Sequence, residues 1–145
     1  MKKFRVDSVC SLKAETFGQF GVKLLRTPED WPVSVYYEKI YRNGGDIAWV
    51  IHKETTEFVY ILGGTAKACL DGEVFRVKPG DYLVIPPGAR HRFVTGKKAM
   101  TALSMFCPPM GLDKPDAVLA AGPGPLHRVP LTPPAGKPGN IRKRS

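Results

Sequence analysis

The sequence predicts an all-β domain, a sandwich, barrel or jelly roll of short antiparallel strands. Three observations carry this. β-prone runs of four to nine residues follow one another from residue 22 to residue 106, Gly, Pro, Asn or Asp stands between most of them, and no long segment repeats apolar residues at a helical spacing. In order, the runs are VKLL (22–25), VSVYYEKIY (33–41), IAWVIH (47–52), EFVYIL (57–62), AKACL (66–70), EVFRV (73–77), YLVI (82–85), HRFV (91–94) and ALSMF (102–106). Each is rich in β-branched, aromatic or aliphatic residues that suit a pleated, half-buried surface. Asp71 and Gly72, between AKACL and EVFRV, form the strongest hairpin signal, because both tolerate the positive φ of a type I′ turn.

After residue 107 the composition changes. Nine of the fourteen prolines lie in residues 108–145, and MGLDKPDAVLAAG (110–122) is the one part whose composition allows a helical turn or two. Proline removes ladder donors and the apolar content is thin, so the rest of this stretch is expected to be extended or loosely held. The organisation expected is a β-barrel domain over 1–107 and a Pro/Gly-rich basic extension over 108–145.

A chain of 145 residues with 43% apolar content is large enough to bury one core without disulfides. Cys10, Cys69 and Cys107 are odd in number and show no zinc-type spacing, which suits free thiols in a reducing compartment. Cys69 and Cys107 are expected to be small core residues. The basic start MKK is followed by no continuous apolar run, and no segment reaches the length of a membrane span. A soluble cytoplasmic protein is expected, with no membrane partner. The net charge of +9 raises nucleic acid as a partner, but KPGNIRKRS (137–145) holds four bases and no acid, so much of the excess belongs to a tail and not to a folded face.

The stretch VIHKETTEFVYILGG (50–64) places ionisable residues at the mouth of a strand, where burial costs several kcal/mol unless a partner or a metal compensates. Its spacing, together with PGDYLVIPPGARHRFV (79–94), resembles the paired motifs of the cupin superfamily. His52 stands where the first motif has its second histidine, Glu57 follows after four residues, and Gly64 follows Glu57 after six. Gly80, Pro86, Gly88 and His91 match the second motif, and Thr95 stands where asparagine is usual. The first-histidine position is Val50. Sliding the register to make Glu54 a ligand leaves too few residues before Glu57.

The resemblance, over roughly residues 40–106, implies a cupin-type jelly-roll barrel with a small-molecule site in its mouth. It implies His52, Glu57 and His91 as ligands of a divalent metal (Fe, Mn, Zn or Ni), with Val50 as a pocket wall. Two imidazoles and one carboxylate are a donor set that leaves positions open on such ions. Dioxygenase, isomerase, decarboxylase and lyase activities are all implied as possibilities, with a metal-free ligand-binding or sensor barrel as the alternative. Val50 and His52 are expected to point inward, with Glu57 on the next strand beside them and His91 opposite. Tyr36, Tyr37, Tyr41, Tyr60 and Tyr82 are candidate hydrogen-bonding groups wherever they face inward. His127, in the tail, is not expected to be a ligand. VSVYYEKIY and EFVYIL are apolar on both faces, which predicts a homodimer.

Overall fold

The computed structural model describes residues 4–44, 48–113 and 116–120. Expectations for residues 121–145, including His127 and the basic end, lie outside the described residues. After a 3-10 turn at Val9–Ser11 come β1 (Glu15–Phe17), β2 (Phe20–Leu24), β3 (Ser34–Ile40), β4 (Trp49–Ile51), β5 (Thr56–Gly63), β6 (Ala66–Leu70), β7 (Glu73–Val77), β8 (Tyr82–Ile85), β9 (Arg90–Thr95), β10 (Met100–Cys107) and β11 (Val118–Ala120). They form two antiparallel sheets, β1-β2-β3-β10-β5-β8 and β11-β4-β9-β6-β7. Crossings between the sheets make this a jelly roll, as the run of short strands predicts.

Alternation sets which side chains enter the barrel. In β10, Met100, Ala102, Ser104 and Phe106 are buried, and in β5 Glu57, Val59 and Ile61 are buried between more exposed neighbours. Ile40, Val59, Ile61, Ala68, Phe93 and Met100 belong to one apolar cluster inside the barrel. Polar residues Ser34, His52, Glu57, His91 and Ser104 are also buried. They need explanation, because a buried polar group without a partner is destabilising.

The turns follow the chemistry of their residues. Asp71 and Gly72 adopt φ of 44° and 87° and close the β6–β7 hairpin. Gly80 and Gly88 adopt φ of 91° and 82°, and the Gly88 N–H donates to the His52 carbonyl at 2.7 Å, which joins the two motifs directly. Thr95 donates from Oγ1 to the Tyr41 carbonyl at 2.6 Å and accepts from the Gly44 N–H at 2.9 Å, so it fastens the loop after β3 to the end of β9.

Two expectations are corrected. Cys69 is in the core, but Cys107 is exposed, because it ends β10 on the outward side of the alternation. The described part of MGLDKPDAVLAAG forms no helical turn. Val118–Ala120 is instead a strand paired with Ile51, Val50 and Trp49 of β4, whose free edge offered ladder groups that needed partners. Met110 and Leu112 pack beside Val22, Tyr36 and Phe106. No helix among the described residues is long and apolar enough to cross a membrane.

Candidate metal centre

His52, Glu57 and His91 converge. One ligand atom from each lies within 4.8 Å of the others, and all three residues are buried. Nε2 of His91 is 3.0 Å and Nε2 of His52 is 3.3 Å from the same carboxylate oxygen, Oε2 of Glu57. The imidazole centroids are 5.1 Å apart, and the Phe106 ring stands edge-on to His52 at 5.3 Å.

Topology explains the meeting. His91 lies on β9, directly across from Val50 of β4 and Leu70 of β6, so these three side chains share the barrel's inner face. His52 immediately follows β4. Glu57 lies on β5, between Ile85 of β8 and Phe106 of β10. The expected placement is therefore corrected: His91 and the end of β4, from which His52 follows, belong to one sheet, and Glu57 faces them from the other. Val50 is half-buried beside His91, as a wall residue would be.

The far nitrogen of each imidazole is already committed. Nδ1 of His91 is 3.0 Å from the Ala89 carbonyl, and Nδ1 of His52 is 2.6 Å from the Asp116 carbonyl. A carbonyl only accepts, so both Nδ1 atoms carry hydrogen and the neutral rings turn Nε2 lone pairs toward a carboxylate. Three acceptors facing one another call for protons or a cation. This donor set fits a divalent metal ion, with both histidines oriented by backbone carbonyls as ligating histidines generally are.

Without an ion, protons at Nε2 fill that role. Burial would raise the Glu57 carboxyl, but hydrogen bonds and charge from His52 and His91 outweigh it and bring the pKa down to about 2. Burial pulls His52 downward, yet the Glu57 carboxylate and the Asp116 carbonyl raise it on balance.

The interior holds a second carboxyl that the sequence reading missed. Glu38 on β3 is buried, opposite Ala102, and its pKa is raised well above the ordinary range by desolvation and then by the charge of Glu57. The Ser104 hydroxyl eases that charge slightly, but it is fully buried and meets hydrogen-bond geometry with no group among the described residues. Glu38 is in phase with the buried Tyr36 and Ile40, but SVYYEKI carries apolar residues in both phases, so alternation alone does not single it out. Of the candidate tyrosines, Tyr36 is fully buried, and its hydroxyl donates to the Met110 carbonyl at 2.5 Å. Tyr37 is half-buried, and Tyr41, Tyr60 and Tyr82 are exposed.

Comparison with known proteins matches the architecture. A family model described as a cupin domain matches residues 38–106. A variant of Pac13 from Streptomyces, solved with uridine, superposes with a TM-score of 0.67 over 83% of this chain and 92% of that one, at 13% identity; another structure describes Pac13 as a nucleoside dehydratase. The polyketide cyclase RemF from Streptomyces resistomycificus gives a TM-score of 0.63 over 72% and 80% of the two chains, at 23% identity. A 54-residue stretch is 41% identical to the polyketide synthase CurC of Streptomyces cyaneus, covering 37% of this chain and 35% of that protein. The match thus spans about a third of that curated relative. With the two motifs on hydrogen-bonded strand pairs of a jelly roll, β4 with β9 and β5 with β8, and a cupin-domain model matching residues 38–106, that part of the chain is a cupin domain.

Proposed function

We propose that the chain is a metal-dependent cupin enzyme acting on a small organic substrate in the barrel mouth, with His52, Glu57 and His91 holding a divalent ion. The observation that carries this reading is the convergence of two Nδ1-anchored imidazoles on one buried carboxylate oxygen. Such an ion, when bound, supplies Lewis acidity to an oxygen of the substrate. The protein's own part is to exclude water and shape the pocket. Val50 and Phe106 give the cluster apolar walls, and Glu38, whose protonated form is favoured by burial, is the acid this interior offers for proton donation.

Among the chemistries open to such a barrel, the dehydratase and cyclase described for Pac13 and RemF favour a lyase or cyclase reaction over an oxygenase. A second reading, a metal-free ligand-binding or sensor barrel, is favoured by Val50, which removes a fourth donor. Elemental analysis of protein purified without an affinity tag distinguishes the two. Near-stoichiometric metal that falls in Glu57→Gln supports the enzyme, and metal-free protein that still binds an organic ligand supports the second reading.

The barrel domain comprises residues 1–107 and the extension 108–145, of which 116–120 is laid back on the barrel. The outer face of β5 and β8 pairs two chains as a homodimer. Free Cys10, Cys69 and Cys107 suit the reducing cytoplasm.

A further inference from the structure

His91 is held by its own strand and by a carbonyl two residues away. His52 is different. It lies past the end of β4, in the turn that leads to β5, and its ring is anchored by a residue 64 positions downstream.

That residue, Asp116, bonds to both the ring and the turn. Its carboxylate accepts from three consecutive backbone N–H groups, Lys53 at 3.1 Å, Glu54 at 2.7 Å and Thr55 at 2.9 Å, and its carbonyl accepts from Nδ1 of His52 at 2.6 Å. The turn that carries the histidine and the ring itself are thus fixed by one residue. The segment is tied at both ends, since the Met110 carbonyl accepts from Tyr36 and the Met110 N–H donates to Ser34 on β3 of the other sheet, while β11 pairs with β4.

A carboxylate taking three N–H groups also binds them as a charge, which makes the clamp stronger than neutral contacts would be. Without it, the Glu57 carboxylate 3.3 Å from Nε2 favours the tautomer protonated there, and only the other presents a lone pair at Nε2.

We propose that Asp116 is a positioning residue, which anchors its own carbonyl against His52 and so selects the tautomer whose Nε2 is free to bind a metal. The proposal rests on the reading of His52 as a metal donor. Asp116 acts through His52 and touches neither metal nor substrate, so the extension supplies orientation where Val50 removed a ligand.

The experiment uses the full-length chain as wild type, Asp116→Ala and Asp116→Asn. Imidazole ¹⁵N NMR, at a pH above the titration of His52, reads its tautomer, and calorimetric titration reads zinc affinity. The wild type should hold His52 in the Nδ1–H form. Asp116→Ala should introduce the Nε2–H form and weaken zinc by about 10- to 100-fold, with Asp116→Asn, which keeps an acceptor oxygen and a foldable chain, falling between. A folded Asp116→Ala or Asp116→Asn protein with unchanged tautomer and unchanged zinc affinity would overturn the proposal. A wild type that ignores zinc yet loses the Nδ1–H form in the variants would refute the metal site and support the positioning role; unchanged tautomers in that case would refute both.

Discussion

Glu57 and Glu38 are two buried carboxyls that one barrel shifts in opposite directions. Glu57 is held near 2 by two histidines, and Glu38 is pushed upward by burial and by Glu57. The consequences for stability have opposite signs. The Glu57 contribution in the metal-free protein is present above its ordinary value of 4.5 and is lost as pH falls from there toward about 2. Glu57→Gln should therefore flatten the acid side of a melting-temperature profile. A raised carboxyl binds its proton more tightly when folded, so Glu38 makes the wild type lose stability as pH climbs above 4.5. Glu38→Gln should melt above the wild type at neutral and alkaline pH by a margin that grows with pH, and parallel profiles would contradict the assignment. His52, raised on balance, must give up a proton to a metal, so metal affinity should decline as pH is lowered. Glu57 was legible in the sequence because a spacing names it. Glu38 was not, since SVYYEKI is apolar in both phases and only the observed register decides which side faces in.

Short-range signals specified the elements well. Asp71-Gly72 fixed its hairpin, and Gly80, Pro86 and Gly88 brought His91 to the mouth because their turns are local in cause. Gly64, the last glycine of the first motif, belongs with them: its φ is 70°, and a Cβ there would collide with the Ala99 carbonyl oxygen. Gly64→Ala should cost about 2 kcal/mol or more in chemical denaturation, since positive φ and backbone overlap both oppose the methyl group; a loss below about 0.5 kcal/mol would show that the β5–β6 turn relaxes freely. β11 was not legible. Its three residues carry no strong pattern of their own, and they become a strand because β4 has a free edge that the sequence does not announce. The clamp of Asp116 on residues 52–55 is hidden for the same reason, as it joins positions more than sixty residues apart.

At the scale of the whole molecule, the outside of the barrel is as informative as the inside. Tyr60, Leu62, Tyr82 and Val84 are 39–55% exposed on the outer face of β5 and β8, at the edge of the six-stranded sheet, and the rings of Phe58 and Tyr82 stack there at 5.6 Å. Such a patch fits a two-fold pairing of identical chains. Light scattering at micromolar concentration should give twice the 15.9 kDa chain mass, reduced to one chain by Leu62→Lys with Tyr82→Lys; a monomeric wild type would remove this face from the account. The central claim is that three residues from two facing sheets form one metal site. Its most direct test is the number of zinc or iron ions bound per chain in wild type, His52→Ala and His91→Ala, with circular dichroism confirming the β-barrel in each. Wild type should hold close to one ion per chain and either folded variant almost none; equal metal content in all three would contradict a site shared by these residues.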